Sequence, residues 1–208
     1  MALSRDDGDV SPEAPRRWMP SIAARTFGRA VLALVAALAL VALPLLAQAT
    51  TVLLLTREEL VTRSDLVARV RVGRAVSAES DDGTAIMTRT ELTVTQSLKG
   101  SMPTTLVLEQ LGGTHRGKTQ RVPGDATLKP GEDAVVFMKK GDGGRVYLTA
   151  MALSVYHVDD KGIASRDLRD LSLVKRQGGK IRHVDQPKER PLPVDRLMSD
   201  VVRIAGGK

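Results

Sequence analysis

Three histidines, His115, His157 and His183, are the chain's candidate metal ligands and general bases. None stands four residues from another with a carboxylate between, the spacing that sets two imidazoles on one helix face against zinc. The chain has no cysteine, which excludes disulfides, thiolate metal sites and a cysteine nucleophile. Serine chemistry needs a base within hydrogen-bond reach. Ser154 and His157 lie three apart in a stretch read as strand, where such side chains point to opposite faces. Gly112–Gly117 has the glycine content of a phosphate cradle but not its Gly-Lys-Ser/Thr ending, so it reads as a turn needing positive φ. Asp81-Asp82 and Asp159-Asp160 each stand beside a glycine and read as turn residues. Neither supplies the alternating oxygens of a calcium loop. No acid, base, nucleophile and metal set converges, so the reading is non-enzymatic, with no metal site and no cofactor.

Cations are the remaining candidates. The Gly-rich turn carries His115, Arg116 and Lys118, and loops on a rigid β scaffold usually do the binding. The chain has a net charge of +7, and it is unevenly spread. Lys161–Arg190 holds nine Lys/Arg against four Asp/Glu, including Lys175, Arg176, Lys180 and Arg182. Two readings apply to that stretch. It attaches the protein to an anionic partner such as lipid headgroups or envelope polysaccharide, or it is a solvated connector. The connector is the expectation. Nucleic acid is not an expected partner: five aromatics in 208 residues make no base-stacking platform.

Short strands separated by Gly-containing turns must position these residues. Thr56-Arg57-Glu58-Glu59 has capping-box spacing and opens a short helix to about Arg63, with Leu60 and Val61 apolar. The period then becomes two. Leu66, Ala68, Val70 and Val72 form an apolar face against Val67, Arg69 and Arg71, and Gly73 ends or bulges the strand. Asp81-Asp82-Gly83 turns the chain into Ile86–Leu98, whose Ile86, Thr88, Thr90, Leu92, Val94 and Leu98 share one face. Further strands are expected at Thr105–Gln110, Thr119–Val122, Asp133–Met138, Arg145–Ala150 and Ser154–Val158. The chain closes with an amphipathic helix, marked by Val194, Leu197, Met198, Val201 and Val202 and stopped by Gly206-Gly207.

The first 49 residues read as targeting. Four arginines and several prolines lead to Arg29, then Ala30 to Ala47 is 18 residues without a polar side chain, and Ala47-Gln48-Ala49 follows as a small-x-small site. That order is a secretory signal, with an uncleaved membrane anchor as the alternative. Either way the remainder is expected outside the cytoplasm, periplasmic or extracellular. Cleavage after Ala49 leaves 159 residues at +6, since the removed segment holds five Lys/Arg and four Asp/Glu. A chain of that size can bury a core of its own. The expected divisions are 1–49 as signal or anchor, 50–160 as a β-barrel domain, 161–190 as basic connector and 191–208 as C-terminal helix.

The run Thr51-Val52-Leu53, Glu58-Glu59-Leu60-Val61, Ser64-Asp65-Leu66-Val67, Val70 and Gly73 resembles the opening of a set of exported bacterial proteins of unknown function. The likeness continues through Thr90, Leu92, Val94, Leu98-Lys99-Gly100, Gly112-Gly113 and Pro130-Gly131-Glu132 to Val135-Val136-Phe137-Met138. The strand-to-Lys-Gly layout is also similar to the netrin-type, OB-like barrel of metalloproteinase inhibitors. Those inhibitors chelate the protease metal through an N-terminal disulfide-bonded cysteine, which this chain lacks. The fold expected is therefore mainly β, an antiparallel OB-like barrel or sandwich with a short N-terminal helix, a C-terminal amphipathic helix and a preceding apolar signal or anchor helix. The function expected is a binding module of the envelope or secretome, taking a protein or glycan partner or an anionic membrane surface. The alternative is an accessory or inhibitor of an exported hydrolase.

Overall fold

The computed structural model of the chain describes residues 50–187 and 190–207. The apolar run 30–47 and the site at Ala47-Gln48-Ala49 lie outside the described residues. Among those described, no helix is long and apolar enough to cross a membrane.

Strand β1 (Thr50–Leu53) leads to helix α1 (Arg57–Arg63). The capping box forms as its spacing predicts: Thr56 Oγ1 accepts from Glu59 N–H at 3.2 Å and Glu59 Oε2 accepts from Thr56 N–H at 2.8 Å. The barrel strands follow as β2 (Leu66–Glu79), β3 (Ile86–Lys99) and β4 (Thr105–Leu111). A small hairpin, β5 (Gly113–His115) and β6 (Lys118–Gln120), precedes β7 (Asp133–Lys140) and β8 (Arg145–Leu148). β2 pairs with β3, β3 with β4, β4 with β8, β8 with β7, and β7 with β2, so five strands close into a barrel. The barrel is not wholly antiparallel as expected, because β4 and β8 run parallel. Strand β2 bends through register shifts, one between Val72 and Ala75 around Gly73, and such bulges sharpen twist.

Inside the barrel, Leu66, Ala68, Val70 and Val72 meet Leu92, Leu106, Leu108, Ala134, Val136, Met138 and Val146. The outer face of β2 is not simply charged. Val67 is fully buried, and Arg69 pairs with Asp133 across to β7 at 2.6 Å. Over that side lie α1 and the C-terminal helix α2 (Val194–Gly206), which share a second core with Val67, Leu98, Val135, Phe137 and Tyr156. Arg57 and Asp200 join the two helices at 2.6 Å. Val202, expected on the apolar face of α2, is 49% exposed; Val194, Leu197, Met198 and Val201 are the buried set.

The stretch 161–190 departs from the solvated connector expected there, because Ile163–Ser165, Leu171–Gln177 and Lys180–Val184 form strands. β9 (Val155–Val158) pairs with β10 (Ile163–Ser165), so a boundary at 160 would cut a hairpin. β10 also pairs with β13 (Leu192–Pro193), which runs into α2. β11 (Leu171–Gln177) is the centre of a second sheet, parallel to β1 and antiparallel to β12 (Lys180–Val184). Leu171 and Leu173 build a third core with Ala152, Leu153 and Leu168. Burying those leucines requires β11 to be fixed, which a solvated connector would not be. Among the described residues, three cores form between Val52 and Ala205, and Gln48–Lys208 is by itself a compact unit with a domain's own interior.

Lys99-Gly100 locks α1 onto the barrel. Lys99 Nζ donates to the carbonyls of Val61 and Ser64, both at 2.6 Å, supplying a cation to the orphan acceptors at a helix C-terminus. Gly100 has φ +80°, and a Cβ there would collide with the Asp65 carbonyl and the Leu66 side chain. Lys99→Met should therefore lower the unfolding free energy of Thr50–Lys208 by about 2 kcal/mol, the range for hydrogen bonds to a charged group. Gly100→Ala should cost more, since collision adds to the left-handed backbone. Urea unfolding of the two variants checks both the loss and its order.

A polar cleft at the barrel mouth

The inward face of the barrel changes character at one end. Thr88 and Gln110 are direct cross-strand partners on β3 and β4, and Ser77 on β2 is the partner of Thr88. Three adjacent strands thus present Ser77, Thr88 and Gln110 in a row, one step beyond Thr90 and Leu108. The row is bonded within itself and to its surroundings. Ser77 and Thr88 hydroxyls lie 2.8 Å apart, Thr88 Oγ1 donates to Gly112 O at 2.6 Å, and Gln110 Nε2 donates to Ala126 O at 2.9 Å. Gly113 lets β5 lie against this row, because a Cβ there would strike both the Thr88 and Ser77 hydroxyls.

Two cavities open at this end. One, of about 500 Å³, is lined by Thr88, Thr90, Gln110, Thr114 and Gln120 among others. The other, of about 600 Å³, is lined by Lys129, Glu132, His157, Asp167 and Arg169 among others. They share the wall Arg121, Gly124, Asp125, Ala126, Thr127 and Asp170, so the loop 121–128 separates two halves of one cleft. Arg121 forms an ion pair with Asp170 across that wall. The pair is exposed, and such pairs contribute little stability.

Beyond the shared wall, the first half is lined by uncharged residues rich in hydroxyls and amides, whereas the second mixes both signs. His157 Nδ1 contacts Glu132 Oε1. Asp167 is bonded by Arg169 at 2.6 Å, which with that guanidinium's charge and the Arg169 backbone N–H lowers its carboxyl to about 2. Asp125 behaves oppositely. Burial pushes its carboxyl up, against the hydrogen bonds from Ala126 N–H and Gln110. No Phe, Tyr or Trp lines either half among the described residues.

The residues singled out from sequence are distributed elsewhere. His115 ends β5 with Nδ1 3.1 Å from Ser77 O. Arg116, at φ +47°, and Lys118 are exposed on the hairpin tip. This hairpin supplies Thr114 and Thr119 to the cleft wall, while His115, Arg116 and Lys118 stand outside the lining. Lys175, Arg176, Lys180 and Arg182 sit on β11 and β12 and line neither half. Ser154 is spent structurally, its Oγ accepting from Ala150 N–H at 2.6 Å. Turn chemistry accounts for the paired aspartates: Asp82 accepts from Ser80 Oγ, Thr84 N–H and Thr84 Oγ1, and Asp159 from Lys161 and Ile163 N–H. The cleft residues carry only a faint signal in the sequence. Thr88, Thr90 and Gln110 interrupt apolar alternation on inward positions of two neighbouring strands.

The sequence matches no protein-family model and no curated protein.

Asp125 gives a direct test of the electrostatics. A carboxyl whose folded pKa is raised is most compatible with folding below its unfolded value of about 3.9, and that compatibility is lost as pH rises through the folded value. Asn keeps the Oδ1 acceptor for Ala126 N–H and carries no charge. Asp125→Asn should therefore raise the Tm at pH 7, and the gain should vanish by pH 3. Thermal unfolding of both proteins at the two pH values checks the sign.

Proposed function

We propose that this protein is an exported, non-enzymatic binding module of the cell envelope or secretome, taking a protein segment or a glycan at the barrel mouth. The observation that carries this is the Ser77–Thr88–Gln110 row. Hydroxyl and amide groups at the mouth of a barrel offer hydrogen bonds to a polar chain, and barrel mouths are favoured ligand sites. Export, or retention by an anchor, follows from the apolar run and small-x-small site of residues 30–49.

The strand order supports an OB-like reading. Numbered within the barrel, the sequence of pairings is 1-2-3-5-4-1 with strands 3 and 5 parallel. In that fold the ligand lies on strands 2 and 3 and the adjoining loops, which here are β3 and β4, the strands that carry Thr88, Thr90 and Gln110. Among the described residues no Phe, Tyr or Trp lines the cleft, which disfavours stacked bases and favours a ligand held by hydrogen bonds.

The test uses immobilised Thr50–Lys208 and the double variant Thr88→Val/Gln110→Leu, exposed to solubilised envelope proteins and, separately, to envelope polysaccharides. The wild-type domain should capture a partner from one class. The variant should bind that partner about tenfold more weakly, a loss of about 1.4 kcal/mol, with an unchanged circular dichroism spectrum. Equal binding by both proteins would overturn the assignment of the mouth, and no capture from either class would overturn the function.

A further inference from the structure

A second surface, on the sheet β1-β11-β12, has different chemistry. Leu171–Val184 contains Lys175, Arg176, Lys180 and Arg182 and no acidic residue. Lys175 and Arg182 are direct cross-strand partners, and Lys180, two residues from Arg182, shares their face opposite Gln177. Like charges placed directly opposite each other oppose pairing. Among the described residues, none of the four cations has an ion-pair partner. The opposite face sets Arg176 beside Ile181, its cross-strand partner, and Ile181 is 66% exposed.

A cavity of about 500 Å³ lies where β11 meets the corner between β1 and α1. Leu53 and Leu54 contribute its apolar lining, and Arg63, Lys175 and Arg176 its positive charge. Glu59 also lines it, with Oε2 held by the Thr56 N–H of the capping box.

We propose that the face carrying Arg176 and Ile181 docks the protein on an anionic phospholipid bilayer, with Ile181 entering the acyl boundary, Arg176 at the headgroups beside it, one headgroup seated among Arg63, Lys175 and Arg176, and Lys180 and Arg182 adding attraction through their charge from the opposite face. Cations flanking an exposed aliphatic side chain are the signature of interfacial binding. An acidic protein partner would use the charges but leave Ile181 without a role. The surface is separate from the barrel mouth, and each can fail without the other.

Co-sedimentation of Thr50–Lys208 with phosphatidylglycerol-containing vesicles, and with phosphatidylcholine vesicles alone, tests the proposal. Binding to the anionic vesicles only is expected, weakening as salt screens the charges. Lys175→Gln/Arg176→Gln/Arg182→Gln should reduce it at least about tenfold. Ile181→Ser, at an exposed position, should reduce it severalfold while leaving its salt dependence unchanged. Failure to bind anionic vesicles, or equal binding by the charge variant, would overturn the proposal. So would an unaltered Ile181→Ser variant whose binding polyglutamate displaces, which points to an acidic protein, or displacement by inorganic phosphate at matched ionic strength, which points to a soluble anion.

Discussion

Closure of the barrel depends on strand β8, which is only four residues long and must serve two neighbours. It pairs with β4 in parallel and with β7 antiparallel. A buried carboxylate reinforces the join. Glu109 on β4 is 4% exposed and accepts from Arg89 on β3 at 3.0 Å, from Arg145 on β8 at 3.2 Å and from Tyr147 on β8 at 2.9 Å. Burial alone would raise the Glu109 pKa, but the bonds from Tyr147, Arg89 and Arg145 outweigh it and hold the carboxyl below its usual range. A buried charge with every partner in place is stable where one with a partner missing is not. The cluster therefore ties the short closing strand to β4, and β4 in turn to β3.

Closure determines where the polar mouth can be. With β4 held between β3 and β8, the inward residues of β3 and β4 fall into register, and Thr88 meets Gln110 at the end of the apolar interior. The loop 121–128 then packs over that end through Gln110 and Ala126. The same arrangement leaves the outer face of β2 and β7 to the helices, with Lys99 fastening α1 and Arg57 joining α1 to α2. Interior, mouth and helical cover are consequences of one closed sheet, whereas the cationic sheet β1-β11-β12 is an addition beside it with its own small core.

Local rules made part of this legible in the sequence. The capping box at Thr56–Glu59, the strands β2 and β3, the turns at Asp82 and Asp159 and the stripe of α2 from Val194 to Val201 depend on residues close in the chain, and each formed. Val202 was misplaced because it lies at the margin of that stripe, where a few degrees of helix rotation decide exposure. In the basic stretch composition and fold diverge: its charges and Gly178-Gly179 are those of a solvated segment, while the burial of Leu171, Leu173 and Val174 depends on β1, some 120 positions earlier (Thr50 pairs with Leu171). The parallel pairing of β4 with β8 is equally non-local, and no hairpin signal could reveal it. The cleft was hidden for a related reason. Thr88, Thr90 and Gln110 look like ordinary strand residues until pairing brings them to one end of the same interior.

Amide hydrogen exchange on Thr50–Lys208 and its Glu109→Gln variant tests barrel closure most directly, because exchange reports the opening of individual strands. If Glu109 secures the closing strand, amides of β8 and the facing amides of β4 should lose protection in the variant by about tenfold or more, while those of α2 and β11 keep theirs. Unchanged protection in β8, or an equal loss in every element, would contradict the closure described.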